Sequence, residues 1–432
     1  MTEPITVREY GAFCEGLENG VQQGGYITLN HRTFNALEEF ALETRQGDDE
    51  AQDVMSVFVK RGKRVIKVKN FVGLITLRNG VTIEILPKIW SQTEGSVSEK
   101  KAREILLQML RVVYRLPFKN LQSGRVDVSR MNILEVFIRM FLDEVNRIAK
   151  RGLKRHYEAV EENLNCFKGK LLTAQQLRHN LVHRERSYVV FDEYVVNRSE
   201  NRLLKSTLLY LNGCTRQARN KQDIRRLLYA FSEVEPSANY DADFSKFVPD
   251  RHTKDYTVAL TWARIFLQKK SFTPYTGSKT APALLFPMEK LFEGYVAALI
   301  HKQLCAQPYR VFTQHSKYHL FDQPKAFSLR PDVVICAASR DRVLVLDTKW
   351  KVLDESARYD GVATDDMYQM YVYQKKYKAE SVTLLYPRTE AMTQQGRGYE
   401  AEEGTVNVRV RFVDLLCAEE SIRKLLQELL LL

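Results

Sequence analysis

The sequence predicts a multidomain α/β protein with a mixed, β-rich segment over residues 1–95, a mostly helical middle over 96–270 and an α/β domain over 271–432. Three observations carry this prediction. At 432 residues the chain is long enough for two or three domains with separate cores. The period of its apolar residues changes from that of strands to that of helices near residue 96. After residue 287 the expected helices and strands alternate.

The N-terminal segment is expected to form strands because β-branched residues fill four short runs. These runs are GGYITL, DVMSVFVK, RVIKVKNFVGLITL and VTIEILPKI. Asn79-Gly80 separates the last two apolar stretches, and this dipeptide is typical of a hairpin turn. We therefore expect a small β-containing domain over residues 1–95.

The middle segment contains one strongly amphipathic helix in MNILEVFIRMFLDEVNRIAKRG, which Gly152 is expected to end. Its apolar stripe predicts a core face. YVVFDEYVV is expected to be a short strand or extended segment, and residues 234–252, rich in Pro, Ser, Asn and Asp, a loop. Further helices are expected over residues 197–212, 217–233 and 254–269.

The C-terminal segment begins with SFTPYTGSKTAPALLFP, whose three prolines indicate a linker or ordered loop. SVTLLYP and VNVRVRFV predict strands, and LLQELLLL an amphipathic tail helix. The remaining expected elements are a helix over 287–305, strands near 309–314, 328–336 and 342–350, and a helix over 364–377.

The composition favours a polyanionic partner, since 65 Lys and Arg against 53 Asp and Glu give a net charge of +12 and a pI near 9.2. Nucleic acid is the first candidate and an anionic membrane surface the second. The start, MTEPITVREY, is too charged for a signal peptide, and no apolar run is long enough to span a bilayer.

The six cysteines are dispersed and form no CxxC pair. This spacing predicts reduced thiols in a cytoplasmic protein, and it argues against a zinc ribbon or a cysteine-ligated iron–sulfur cluster.

The strongest chemical signal lies in RPDVVICAASRDRVLVLDTKWK, residues 330–351. AASRDR is short enough for a hairpin, which would place Asp332 beside Asp347 on neighbouring strands. Because side chains alternate along a strand, Asp347 and Lys349 should project from one face while Thr348 points away. Two carboxylates and a backbone carbonyl can anchor Mg²⁺, and a nearby lysine can position water or offset charge, as phosphodiester hydrolysis requires.

An acidic residue two positions before a lysine is a weak signal alone, because it also occurs at Glu99 and Lys101. The bland alternative is an Asp347–Lys349 surface ion pair, with Asp332 capping a turn. What favours a site is the conjunction of Pro-Asp, strand, hairpin, strand, Asp-x-Lys and helix.

With Pro331, Asp332, Asp347 and Lys349 in place, the segment resembles the PD-(D/E)XK nuclease superfamily. PMEKLFEGYV, VLDTKWK and DMYQMYVYQ, with VTIEILPKI and DEYVVNRSENRLLK upstream, resemble the McrC family, the nuclease subunits of McrBC modification-dependent restriction systems. The resemblance implies a DNA endonuclease subunit of a GTP-driven complex that depends on Mg²⁺, with Mn²⁺ as the alternative cation.

The resemblance also implies roles for individual residues. Asp332, Asp347 and the Thr348 backbone carbonyl would hold the metal, and Lys349 would orient the attacking water. A helical glutamate would complete the site, with Glu293 preferred over Glu289, which lies one turn earlier. Solvated positions on an amphipathic helix are the alternative for both glutamates.

Gln369 and Tyr373 share one helical face and would contact the DNA backbone or the site. Ordinary surface polar positions are the alternative for this pair.

The implied partners are double-stranded DNA and a hexameric McrB-like AAA+ GTPase, which the N-terminal segment would dock on and stimulate. Dimerisation through the nuclease domain is a further possibility. Two rival functions are a non-catalytic scaffold that binds DNA or activates the motor, and a stand-alone exonuclease of the RecB kind.

Three other patterns are weaker signals of a binding site. Gly277-Ser-Lys279-Thr280 lacks the earlier glycine and the strand of a phosphate loop, so no nucleotide is expected to bind this chain. The histidine pairs at 179 and 183 and at 315 and 319 lack a third ligand, and we expect ordinary surface or core residues. KRGKRVIKVK, residues 60–69, is expected to be a solvated edge strand, with contact to DNA phosphates or an acidic partner as the alternative.

Overall fold

The computed structural model describes residues 4–43, 54–89, 96–113, 133–183, 185–247, 255–267, 283–337, 342–389, 392, 396–401 and 406–430. The chain forms two compact units, one of Met1–Ser129 with Gly277–Leu432 and the other of Arg130–Thr276. The three expected segments are therefore distributed over two units. The expected boundary at residue 96 does not coincide with a boundary between units, because the helix that begins there packs within the first unit.

The N-terminal part of the first unit contains eight strands and two helices in its described residues. They are β1 (Ile5–Arg8), β2 (Ala12–Glu15), β3 (Gln22–Gln23), β4 (Tyr26–Leu29), α1 (His31–Glu43), β5 (Met55–Lys60), β6 (Lys63–Val68), β7 (Phe71–Thr76), β8 (Thr82–Leu86) and α2 (Ser96–Val113). The four expected strand runs are confirmed. β1, β2 and α1 were not predicted.

The strands of this part belong to two sheets. One has the order β3-β4-β2-β6-β5. The expectation of a solvated edge strand over residues 60–69 was wrong, because β6 pairs with β2 on one side and β5 on the other and buries Val65, Ile66 and Val68. The basic residues Lys60, Arg61 and Lys63 are exposed at the β5–β6 turn. In the other, β1 pairs parallel with β8, and β8 pairs antiparallel with β7. Gly80 adopts a left-handed φ of 82° in the β7–β8 turn, which confirms the predicted hairpin.

The second unit contains six helices and three strands in its described residues. They are α3 (Ile133–Arg151), β9 (His156–Leu164), β10 (Lys170–Leu171), α4 (Thr173–His179), β11 (Ser187–Val195), α5 (Ser199–Cys214), α6 (Ala218–Ala230), α7 (Tyr240–Ser245) and α8 (Tyr256–Leu267). The predicted helix ending at Gly152 is confirmed, since this glycine has a φ of 89°.

Two expectations for the second unit need correction. β11 pairs along its whole length with β9, so this part is less purely helical than predicted. The expected loop over 234–252 contains α7, which Asn239 caps by accepting a hydrogen bond from the Ala242 N–H.

The core of the second unit is rich in aromatic side chains, and the Phe137 and Trp262 ring centroids lie 5.4 Å apart.

The remaining elements return to the first unit. They are β12 (Ala283–Pro287), α9 (Met288–Leu304), β13 (Tyr309–Thr313), β14 (His319–Asp322), β15 (Lys325–Ser328), β16 (Val333–Ala337), β17 (Val343–Thr348), a 3₁₀ helix (Arg358–Gly361), α10 (Thr364–Tyr377), β18 (Ser381–Pro387), β19 (Arg397–Ala401), β20 (Val406–Val413) and α11 (Ala418–Leu430). The predicted elements after residue 287 are present in the predicted order, but β14, β15 and β19 were not predicted.

One expectation was wrong here, because the end of the predicted linker is not a loop. β12 pairs antiparallel with β7, from Ala283 opposite Ile75 to Pro287 opposite Phe71. The phosphate-loop-like Gly277–Thr280 stretch and residues 338–341 of the expected AASRDR hairpin lie outside the described residues. β16 and β17 do pair antiparallel, as a hairpin requires.

A mixed six-stranded sheet with the order β13-β16-β17-β18-β20-β19 dominates the C-terminal part. β17, β18 and β20 are parallel neighbours, and their residues are mostly buried, as expected for strands covered on both faces. Val334, Val345 and Leu384 pack with α10 on one face. The alternate residues face the other side, where α9 and α11 contact the sheet.

All six cysteines are free thiols. In the part of the chain that the structure covers, no helix is long and apolar enough to cross a membrane.

Candidate active site

Asp332 and Asp347 come together where β16 begins and β17 ends. Val333 pairs with Leu346 in the antiparallel register, so Asp332 and Asp347 lie opposite each other one position further out. Directly opposed residues share a face of the sheet and have neighbouring Cβ atoms. Asp347 is 2% exposed and Asp332 is half-buried. The predicted convergence of two carboxylates is present.

Thr348 holds Asp332 in place. Its backbone N–H donates to Asp332 Oδ2 at 2.7 Å, and its hydroxyl donates to the same oxygen at 2.6 Å. The expectation that Thr348 points away from the site was wrong. Asp332 immediately precedes Val333, the first paired residue of β16, so its carboxylate can reach the end of β17. Thr348 is therefore part of the cluster.

Lys349 lies on the same side of the strand end as Asp347, as the alternation predicted. Its Nζ is 2.7 Å from Asp347 Oδ2 and donates to Gln369 Oε1 at 2.9 Å. Burial lowers the pKa of Lys349, but the nearby carboxylates, Asp347 foremost, outweigh burial and hold that pKa above its ordinary value. The ammonium is consequently charged at neutral pH.

Gln369 and Tyr373 connect Lys349 to the core. The Gln369 amide donates to the Tyr373 hydroxyl at 2.7 Å, so the pair forms a chain of hydrogen bonds that ends on the lysine. Tyr373 is 2% exposed, and burial, followed by the charge of Asp347, raises its pKa. Of the two contacts expected for this pair, the structure shows the contact with the site.

Glu293 approaches the cluster from α9. Its carboxylate accepts a hydrogen bond from the Gln314 amide, which also donates to Asp332 Oδ1 at 3.2 Å. Burial and then the charge of Asp332 raise the pKa of Glu293. The alternative, Glu289, is exposed, and its charge acts on Glu9 and Lys88 of the N-terminal strands. The structure therefore brings Glu293 to the site.

The cluster contains more acidic than basic side chains, since Asp332, Asp347 and Glu293 outnumber Lys349. Burial and then the charge of Asp332 raise the pKa of Asp347 to about 6, although the nearby Lys349 acts to lower it. Clustered carboxylate oxygens are hard donors that suit Mg²⁺, which needs few protein ligands besides water and substrate oxygens. Among the residues that the structure describes, no group of three or more His, Cys, Asp or Glu side chains is placed to hold a metal ion. The donor set fits a cation held by two carboxylates with further oxygens.

Sequence reasoning missed one acidic residue near the site. Asp366 lies in the first turn of α10, accepts a hydrogen bond from the Tyr386 hydroxyl at 3.3 Å and lies 3.6 Å from Lys351 Nζ. Its charge also contributes to the raised pKa of Asp347. The available signal was an acidic residue at a helix start, which is usually explained by the helix dipole.

Sequence reasoning also missed the support of Trp350, the residue after Lys349. Trp350 is buried, and its indole N–H donates to Glu9 Oε1 at 2.7 Å. The Lys88 N–H donates to the same oxygen at 2.9 Å, and Lys88 Nζ donates to the Trp350 carbonyl at 3.3 Å. No local pattern could indicate a contact between residues 341 positions apart.

His179 and His315 of the two histidine pairs contact tyrosine side chains, and His183 contacts the neighbouring Glu185. His179 stacks on Tyr188 with ring centroids 5.4 Å apart. His315 Nδ1 is within hydrogen-bond distance of the Tyr377 hydroxyl, at 3.3 Å. Within the described ranges, neither pair belongs to a metal-binding cluster.

Comparison with solved structures shows a related fold. A chain in a refined half-complex from a tetradecameric assembly of Thermococcus gammatolerans McrB AAA+ hexamers with bound McrC is 19% identical, with a TM-score of 0.74 over 99% of this chain and 100% of that chain. A chain in the cryo-EM structure of the Thermococcus gammatolerans McrBC complex is 20% identical, with a TM-score of 0.54 over 70% of this chain and 88% of that chain. No curated protein matches significantly.

The family comparison reaches across both compact units. The family described as "McrBC 5-methylcytosine restriction system component" matches residues 66–387, which is more than half of the chain and contains every residue of the cluster described above. This chain therefore belongs to the McrBC 5-methylcytosine restriction system component family.

Proposed function

We propose that this chain is the nuclease subunit of its restriction system and hydrolyses DNA phosphodiesters with Mg²⁺ or Mn²⁺. The observation that carries the proposal is the meeting of Asp332, Asp347 and Lys349 at the ends of two neighbouring strands, with Glu293 on the preceding helix. The order of helices and strands around them supports a C-terminal domain of the PD-(D/E)XK type.

The ligands of the cation would be Asp332, Asp347 and the Thr348 backbone carbonyl, with Glu293 as the additional carboxylate. When bound, such a cation polarises a phosphoryl oxygen and makes water more acidic. Burial and then the negative charge of Asp332 raise the pKa of Asp347, and the proximity of these two carboxylates is the electrostatic reason for a divalent cation to bind there.

Lys349 acts as a hydrogen-bond donor in this proposal. Because its pKa is raised, its ammonium does not serve as a base at neutral pH. Lys349 Nζ lies 2.7 Å from Asp347 Oδ2 and donates to Gln369 Oε1. Because an ammonium has three N–H donors, one remains for the attacking water or a phosphate oxygen. Tyr373 and Gln369 orient the ammonium so that it can stabilise the negative charge that develops on the phosphate oxygens in the transition state.

We further propose that cleavage depends on double-stranded DNA delivered by a hexameric McrB-like AAA+ GTPase. The net charge of +12 supports binding to DNA phosphates. The similar solved chains belong to complexes of McrC with McrB AAA+ hexamers, which supports the same type of partner here. Docking through the N-terminal strands, stimulation of GTP hydrolysis and dimerisation through the nuclease domain are parts of this proposal. The nucleotide would be bound by the partner.

A plasmid-cleavage assay tests the proposal. Methylated and unmethylated plasmids are incubated with Mg²⁺, GTP and this chain, with and without the McrB-like protein of the same organism. We expect cuts in the methylated plasmid only when all components are present. Asp347→Ala should lower cleavage by at least about a hundredfold while GTP turnover continues, because the substitution removes a cation ligand.

Asp322→Ala is the matched control, because Asp322 is an exposed aspartate of the same part of the chain, paired with Lys376. Its cleavage should equal that of the unmodified chain. Cleavage that persists in a folded Asp347→Ala protein would refute the assigned site. GTPase stimulation without any cleavage would instead indicate a non-catalytic activator.

A further inference from the structure

Gln314 connects the two halves of the carboxylate cluster. Its Nε2 donates to Glu293 Oε1 of α9 and to Asp332 Oδ1, 3.2 Å away at the start of β16. Its backbone N–H donates to the Asp332 carbonyl at 3.1 Å. One residue thus contacts both carboxylates and the backbone that carries one of them.

The backbone of Gln314 has a conformation that side chains rarely adopt. Its φ is 49°, in the left-handed region, directly after the last residue of β13. Glycine is the residue that this region favours, and non-glycine residues held there cluster at functional sites. A long amide in this place is explained by the bridge that it forms.

The chemistry of an amide suits this position. Glu293 and Asp332 are carboxylates close enough for one nitrogen, Gln314 Nε2, to contact both, so their negative charges repel each other. A lysine or arginine could bridge them, but its charge would compete with a cation for the same oxygens. The amide donates hydrogen bonds without adding charge, and Gln314 is exposed, so the carboxylates remain accessible.

We propose that Gln314 is a positioning residue of the cation site, an uncharged bridge that aims Glu293 and Asp332 at a common cation. The inference rests on the proposed cation-dependent nuclease function and adds a residue that the Asp, Asp and Lys pattern does not contain. Residues that orient metal ligands typically change metal affinity by about 10- to 100-fold when they are lost.

The test is Mn²⁺ binding to the full chain, measured as the loss of the electron paramagnetic resonance signal of free Mn²⁺. Gln314→Gly removes the amide and suits the left-handed backbone, so the variant should fold. We expect its Kd for Mn²⁺ to rise by about tenfold. Gln314→Lys should abolish binding at this site, since its ammonium would neutralise the two carboxylates.

Lys378→Gly is the matched control, because Lys378 also has a φ of 49° but lies at the end of α10. It should bind Mn²⁺ like the unmodified chain. Asp347→Ala gives the background from other sites.

The outcomes separate the two proposals. If the unmodified chain binds no more Mn²⁺ than Asp347→Ala, the cation-dependent function fails and this inference fails with it. If the unmodified chain binds and Gln314→Gly or Gln314→Lys binds equally well, only the role of Gln314 is overturned.

Discussion

At the residue scale, the cluster places charges where burial makes them unfavourable. Asp347 is 2% exposed and faces Asp332, and its cationic partner Lys349 also donates to Gln369. Residues arranged for chemistry often lower the stability of a fold. The raised pKa of Asp347 is the sign of such a conflict, because the ionised form is disfavoured in the folded chain.

This conflict predicts a pH-dependent effect of Asp347→Asn on stability. Because folding raises the pKa of Asp347 from 3.8 to about 6, the folded chain binds more protons than the unfolded chain in that window. The contribution of Asp347 to stability therefore falls as the pH rises from about 4 to about 6. Asparagine is always neutral, so Asp347→Asn should raise Tm by a few degrees at pH 7.5 and by much less at pH 4.

The measurement is thermal unfolding of both proteins in EDTA, which keeps cations from altering the titration. A Tm difference that is the same at both pH values would contradict the assignment. Asp322→Asn is the control for a neutralised, exposed aspartate and should show little change at either pH.

At the element scale, the N-terminal strands determine where α9 begins. β12 pairs with β7, and the Met288 N–H, the first of α9, donates to the Asn70 carbonyl at 2.9 Å. Trp350, at the other side of the cluster, is held by Glu9. The helix that carries Glu293 and the strand end that carries Lys349 thus both depend on contacts with the first 90 residues.

Gly73→Ala tests this dependence. A Cβ on Gly73 would lie 1.9 Å from the Leu284 carbonyl oxygen, and the φ of 130° is unfavourable for alanine. We expect loss of the β7–β12 pairing, a fall in Tm and weaker Mn²⁺ binding, because the start of α9 would shift. Calorimetry and the Mn²⁺ titration measure both effects.

Gly398→Ala is the control within the same unit, since no atom lies within 4 Å of a Cβ placed there. It should leave Tm and Mn²⁺ binding nearly unchanged. Normal Mn²⁺ binding by a Gly73→Ala protein with a lowered Tm would show that the strand pairing stabilises the unit without positioning Glu293.

At the scale of the whole molecule, the chain has two cores. The first unit joins both ends of the chain, and the second is formed by residues between them. Phe141 is fully buried in the second unit against Phe266, and Leu384 is fully buried in the six-stranded sheet of the first. Substitutions of such residues by alanine typically lower stability by about 3 kcal/mol.

Separate cores predict separate responses to Phe141→Ala and Leu384→Ala. In differential scanning calorimetry of the full chain, each substitution should lower the temperature of one transition more than that of the other. The transition lowered by Leu384→Ala should be the one that Mn²⁺ raises, because ligand binding stabilises the unit that holds the site. Equal shifts of a single transition in both variants would show that the two cores unfold together.

The sequence by itself determined the elements and the centre of the site. Apolar period and turn residues are local, so they were sufficient for α3, for the β7–β8 hairpin and for the order of elements after residue 287. Asp332, Asp347 and Lys349 are separated by one short connection, and the alternation of a strand was enough to place them together. β1, α1 and α7 were missed because short elements depend on the surface that they pack against.

Only the tertiary structure decided what surrounds that centre. The pairing of β12 with β7 converts an expected linker into a strand, and the contact between Glu9 and Trp350 joins the two ends of the first unit. The choice of Glu293 over Glu289 follows from the direction of α9, and the bridge by Gln314 follows from one left-handed residue. These contacts join residues far apart in the chain, and no local period or spacing carries information about which distant surfaces will be buried together.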